Sequence, residues 1–76
     1  MDHDAFLDAR GLICPLPVLK LRKRLQPLEP GQVLEVHADD PVALIDIPHF
    51  CQEAGHALAH HEMRDTIQVY LIRKGG

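Results

Sequence analysis

Along this chain the apolar residues switch period, from two to between three and four and back, and Pro or Gly marks most of the switches. Ala5 to Ala9 reads as a short first strand, and Arg10-Gly11 as the turn that leaves it. Pro15 suits the first position of a helix, where its fixed backbone angle fits and its missing N–H is not needed. Val18, Leu21, Leu25 and Leu28 then recur at spacings of three and four, one buried helix face running to about Gln26. Pro27 and Pro30-Gly31 close it. Gln32 to Ala38 alternates Leu34, Val36 and Ala38 with Glu35 and His37, a second strand with one covered face. Asp40-Pro41 repeats the helix-start signal, a capping carboxylate followed by Pro. Leu44, Ile47, Cys51 and Ala54 make the buried stripe of this second helix, which Pro48 should bend or break in its second turn and Gly55 should end. His56 to Met63 and Thr66 to Ile72 alternate again, joined at Arg64-Asp65 as a hairpin.

The order strand, helix, strand, helix, strand, strand limits the fold. Two apolar helix stripes are buried together only if both helices lie on a sheet. The expectation is an α+β fold: a two-layer α/β sandwich, βαβαββ, whose four-stranded mixed sheet carries two helices on one face and leaves the other to solvent. The 76 residues make one domain, 1–76. A chain this short buries only about 60% of its unfolded surface, so its chemistry belongs at the surface, with one or two groups, rather than in a deep pocket.

The N-terminus, Met1-Asp2-His3-Asp4-Ala5-Phe6, lacks the basic start and apolar run of a signal peptide, and no stretch is long enough for a membrane span. The sequence therefore points to the cytoplasm, without membrane attachment, and to two free thiols at Cys14 and Cys51. The net charge is -3, but Lys20, Arg22, Lys23 and Arg24 hold four of the eight bases within five residues. Acids gather elsewhere, at Asp39, Asp40, Asp46 and Glu53. A molecule with a basic and an acidic side is suited to docking on a protein.

Cys14 stands where Ser, Thr, Asp or Asn usually caps a helix. Pro15 and Pro17 have no N–H, so Leu16 and its successors are left to face the sulfur, and the helix dipole adds partial positive charge. A dipole effect of about 0.3 to 2 kcal/mol lowers a thiol pKa by at most ~1.5 units. The expectation is an exposed thiol biased toward its anion.

These same residues carry a resemblance. Leu7-Asp8-Ala9-Arg10-Gly11-Leu12-Ile13-Cys14-Pro15-Leu16-Pro17-Val18 resembles the signature of the TusA/SirA family of sulfur-carrier proteins, with its Cys-Pro-X-Pro mark. Ala38-Asp39-Asp40-Pro41, Asp46-Ile47-Pro48, Phe50-Cys51 and Gly55-His56 match the family's middle section, and Leu71-Ile72-Arg73-Lys74-Gly75-Gly76 is similar to the tail of its TusA branch. The resemblance implies that Cys14 takes sulfane sulfur as a persulfide from a cysteine desulfurase or rhodanese-like donor and relays it to a downstream acceptor protein. Arg10, Gly11, Pro15 and Pro17 are its supporting motif residues, and Asp40 gains a partner-binding role. It also implies a component of a sulfurtransferase system rather than a stand-alone enzyme; the further expectations are a monomer when free, with no cofactor, no metal and no direct contact with nucleic acid. In the TusA branch the destination is 2-thiouridine in tRNA. One position departs: residue 16, often Glu in the tRNA-thiolation members, is Leu here, and relatives with other residues there serve sulfur oxidation or molybdenum-enzyme maturation.

The remaining candidates divide between bland and functional readings. Cys51 belongs to the core by its spacing. Lys20, Arg22, Lys23 and Arg24 are either a solvated face or a docking patch for an acidic partner. His56, His60 and His61 with Cys51 are donor types that zinc accepts, but His60 and His61 point to opposite faces of a strand. Two rival functions stay open: Gly75-Gly76 as the thiocarboxylate tail of a ubiquitin-like carrier, and the basic helix as a small RNA-binding module. The first disagrees with a helix after one strand, and the second with an acidic chain whose only stacking residues are Phe6, Phe50 and Tyr70.

Overall fold

The computed structural model describes residues 4–76; Met1–His3 of the N-terminal stretch lie outside them. The elements are β1 (Ala5–Asp8), α1 (Leu16–Leu25), β2 (Val33–Ala38), α2 (Ala43–Ala54), β3 (Ala57–Arg64) and β4 (Ile67–Arg73). The sheet order is β1-β2-β4-β3. β1 runs parallel to β2, while β4 is antiparallel to both β2 and β3. The expected mixed sheet and element order are therefore present. The β3–β4 link is Asp65-Thr66, one residue later than expected, with Arg64 paired to Ile67 and Asp65 in the left-handed region at φ 57°.

Leu7, Ala9, Leu34, Val36, Ala38, Tyr70 and Ile72 project from one sheet face into a core shared with Leu21 and Leu25 of α1 and Ala43, Ile47, Phe50 and Cys51 of α2. Both helices thus cover the same face. The stripe of α2 is shifted from the one expected: Ile47 and Cys51 are buried, but Leu44 is 40% exposed and Ala54 is exposed, with Ala43 and Phe50 in their place. The helix starts later than Asp40-Pro41 suggests. Its N-cap is Val42, with no side-chain cap bond, because the Asp40 carboxylate is engaged elsewhere. Pro48 does not divide the helix, which continues to Ala54. It removes only the i→i−4 bond to the Leu44 carbonyl, and Ile47 on one side with Phe50 and Cys51 on the other anchor both halves in the core.

The second sheet face is less open than expected. Val69 and Leu71 are 1% and 5% exposed, lying under the longer side chains of Glu35, His60, Glu62 and Arg64. Those side chains pair among themselves and with His37: His37 Nε2 with Glu35 at 2.7 Å, His60 Nε2 with Glu62 at 2.8 Å, and Arg64 Nε with Glu62 at 2.9 Å. No helix among the described residues is long and apolar enough to cross a membrane.

Candidate functional site

The connection from β1 to α1 is fastened at three points. Arg10 folds back on Asp8, with Nε to Oδ1 at 2.9 Å and Nη2 to Oδ2 at 3.0 Å. These bonds hold the Asp8 carboxyl down at about 2. Gly11 sits at φ 81°, a left-handed conformation natural to glycine, and its N–H donates to Asp39 Oδ1 at 2.9 Å. The Cys14 N–H donates to Asp40 Oδ2, also at 2.9 Å. Asp39 and Asp40, adjacent at the end of β2, therefore clamp the loop that carries the thiol.

Asp40 is itself held from below. Its carbonyl accepts from Gln68 Nε2 at 2.8 Å, and Gln68 Oε1 accepts from the Tyr70 hydroxyl at 2.6 Å. Gln68 and Tyr70 are 2% and 0% exposed. Burial pushes the Tyr70 hydroxyl up to about 12, so it remains a donor. Neither residue stood out in the sequence as part of the site. The available signal was a polar Gln68 on the inward positions of β4, between Thr66 and Tyr70, where a core-facing strand otherwise places apolar side chains.

Cys14 is exposed, as expected, but it does not cap the helix. α1 begins at Leu16 with Pro15 as N-cap and no side-chain cap bond, and the Cys14–Pro15 peptide is cis. The physical reason is a shortage of donors. The Leu16 N–H is taken by the Ile13 carbonyl at 2.8 Å, and Pro17 has none to offer. The thiol turns instead to α2 and donates to Asp46 Oδ2 at 3.1 Å. That hydrogen bond, then loss of solvation, then the negative charges of Asp46 and Asp40, raise the Cys14 pKa above the ordinary thiol value. The expected bias toward the anion is thus reversed: nearby carboxylates outweigh the end of a ten-residue helix. What the arrangement presents is a protonated sulfur, accessible from solvent, with a proton acceptor beside it.

The other expected site residues are dispersed. Pro17 is on the buried side of α1, and Pro15 lines an open groove between α1 and α2 together with Val18, Arg22, Asp46, His49, Phe50 and Glu53. Arg22 lies over the Phe50 ring, 5.5 Å from its centroid. Arg24 points the other way and donates Nη2 to the Phe6 carbonyl at 2.6 Å. Lys20 and Lys23 are exposed. On a helix Lys20, Lys23 and Arg24 share one side and Arg22 lies roughly opposite, so the four bases do not form one patch. Cys51 is 2% exposed and burial pushes its thiol up to about 11. His60 contacts Glu62, whereas His61 stacks on Tyr70 at 4.6 Å on the other sheet face. Among the described residues no group of three or more His, Cys, Asp or Glu side chains converges as metal donors.

Fold and site together define a small α+β domain that presents one thiol on a clamped loop at the mouth of its first helix. The chain belongs to the TusA sulfurtransferase family, whose model matches residues 5–74. Its role is that of a sulfur-transfer carrier acting between partner proteins. Among solved structures it is similar to a SirA-like protein from Desulfitobacterium hafniense, at 25% identity over 96% of this chain and 100% of that one, with a TM-score of 0.83.

Proposed function

We propose that Cys14 carries sulfane sulfur as a persulfide, received from a cysteine desulfurase or rhodanese-like donor and relayed to an acceptor protein. The observation that carries this reading is the contrast between the two cysteines: Cys14 is exposed on a fastened loop, and Cys51 is sealed in the core. In the loading step the Cys14 sulfur gives up its proton and attacks the outer sulfur of the donor persulfide. A new S–S bond forms, the donor's S–S bond breaks, and the donor leaves as a thiolate. Delivery repeats the exchange: an acceptor thiolate attacks the outer sulfur and Cys14 departs as a thiolate, then regains a proton. No net oxidation occurs in either step.

Protein partners suit the surroundings of the thiol. Ile13, next to Cys14, is 69% exposed, and Ile45, next to Asp46, is 73% exposed. Large apolar side chains left in water beside a reactive group favour a docking protein over a small polar substrate. Among the described residues Lys20, Arg22 and Lys23 form no ion pair, so their charge can serve such a partner, while Arg24 and Asp40 act first within the fold. The carrier works as a cytoplasmic monomer that does not itself bind nucleic acid, and its sulfur goes to tRNA 2-thiouridine.

Incubation with a desulfurase and cysteine should add one sulfur atom, about 32 Da, to the intact chain, and reductant should remove it. Cys14→Ser should abolish the gain. Uptake that persists in that variant would show that another atom carries the sulfur. The destination is tested separately, by loss of 2-thiouridine from tRNA when the gene is removed; normal thiolation would point to molybdenum-enzyme maturation or sulfur oxidation.

A further inference from the structure

The charges around Cys14 are one-sided. Asp46 Oδ2 accepts the thiol proton at 3.1 Å, and Asp40 Oδ2 lies on the residue's own N–H at 2.9 Å. Among the described residues no cation pairs with Asp46. In the adjoining groove His49 is matched with Glu53 at 3.1 Å, and Arg22 lies over Phe50. The sulfur therefore faces two carboxylates from the β2–α2 connection and α2. On its own side the one charged side chain that α1 contributes to the groove is Arg22.

We propose that Asp46 is a second functional residue of the relay, one that accepts the thiol proton of the empty carrier and repels the persulfide of the loaded one, so that sulfur is held loosely and passed on. The inference rests on the persulfide reading above. A persulfide is more acidic than a thiol, so near neutrality its outer sulfur is an anion with no proton to donate. The bond that Asp46 makes with the empty carrier is then lost and replaced by repulsion between like charges. Two such charges about 4 Å apart, even in water-like surroundings, displace an equilibrium about fivefold. The empty carrier is favoured over the loaded one, and the bound sulfur is more readily transferred.

The test compares wild type with Asp46→Asn, which keeps the shape, removes the charge and lets an amide donate to sulfur. The first readout is the pH dependence of Cys14 alkylation by iodoacetamide; its midpoint should move to lower pH. The second is exchange with glutathione persulfide, in which the Cys14 thiolate takes the outer sulfur and glutathione leaves as a thiolate. At a fixed ratio of glutathione persulfide to glutathione, the ratio of loaded to empty carrier should rise by at least about fivefold. Glu53→Gln, which removes one charge from the same helix without touching Cys14, should alter neither. If Asp46→Asn fails to fold, Asp46→Ser gives the same comparison. An unmoved alkylation midpoint, or a loaded fraction that does not rise, overturns the proposal at Asp46. A wild type that takes up no sulfur overturns it through the carrier reading instead, and a shifted midpoint in the same pair of proteins separates the two failures.

Discussion

Gln68 donates its side-chain amide to the Asp40 carbonyl across 2.8 Å, from the inner face of β4 to the loop whose carboxylate holds the Cys14 N–H. A buried strand residue thereby sets the position of a surface thiol. Gln68→Leu fills a similar volume but leaves the Asp40 carbonyl without this partner and the Tyr70 hydroxyl with only the Ala43 carbonyl at 3.3 Å. The Asp40 carbonyl keeps the Ala43 N–H at 2.9 Å, so the cost is that of the lost hydrogen bonds, about 0.5 to 1.5 kcal/mol each. Urea unfolding should register that loss, and Cys14 loading should slow as the Asp39-Asp40 clamp loosens. Unchanged stability would mean that water replaces the amide.

Cys51 makes the opposite prediction for a cysteine. Its thiol is pushed up to about 11 by burial among core residues of α2 and the sheet. In the native protein near pH 8, iodoacetamide should label only Cys14, and in denaturant it should label both. Cys51→Ser should lower stability by about 1 to 3 kcal/mol through a buried hydroxyl and leave sulfur transfer intact. Lost transfer at full stability would make Cys51 a participant.

These two cases show what could be read from the sequence. The period changes located every strand and both helices, since local apolar spacing is a property of a segment itself. Leu21, Leu25, Ile47 and Cys51 were legible as core for the same reason. The exact start of α2 was not, because the Asp40 carboxylate has two possible clients, its own helix and a backbone N–H 26 residues away, and the distant one takes it. The buried side of α2 also carries Ala43 and Phe50 in place of Leu44 and Ala54, because how the helix turns toward the sheet is fixed by packing and not by its own spacing alone. The state of Cys14 was hidden likewise. The helix dipole is visible in the local sequence, whereas the Asp46 contact spans 32 positions and exists only after α1 and α2 pack.

Docking charge should now be divided within helix α1. Arg22 faces the groove beside Asp46, while Lys23 lies on another side of the helix. Charge reversal at Arg22 should slow loading by a desulfurase about tenfold at low ionic strength, the low end of electrostatic steering, and flatten its salt dependence. Reversal at Lys23 should do less. Equal effects would indicate a diffuse field rather than a contact at the groove.

Acid should destabilise the fold in two stages. His56 sits partly buried near Lys74, and its pKa is lowered from 6.5 chiefly by burial, so the unfolded chain binds its proton more readily. Stability therefore falls as pH drops below about 6.5 and stops falling from this source once the folded His56 is protonated. That proton also removes the Nδ1 acceptor of the Gly75 N–H, a 2.9 Å bond. Asp8 and Glu62 are depressed to about 2 by their bonds to Arg10 and to Arg64 and His60. Their contribution is present above the ordinary carboxylate pKa and is lost as pH falls from about 4.5 to 2. Denaturant midpoints measured across this range should show both stages, and His56→Gln should remove the first.

The C-terminal glycines allow the sharpest separation of structure from chemistry. Gly75 packs so closely on the Gly55 backbone that a Cβ there would collide with the Gly55 carbonyl oxygen, and its N–H is bound by His56. The neighbouring Lys74 donates Nζ to the Gln26 and Leu28 carbonyls at 3.0 and 2.6 Å, tying the end of α1 to the end of β4. This gives Gly75 a packing role, unlike the free tail that a thiocarboxylate carrier must extend into a partner's active site. Gly75→Ala should therefore cost about 1 to 3 kcal/mol, the usual range for forcing atoms into a filled space. It should leave the mass gain on Cys14 unchanged under conditions where the fold persists. Removal of Gly76 alone, which is exposed, should change neither stability nor loading. If loading were lost on removing Gly76 while the Cys14 thiol still alkylated normally, sulfur would have to travel on the C-terminal carboxyl and the ubiquitin-like reading would be right.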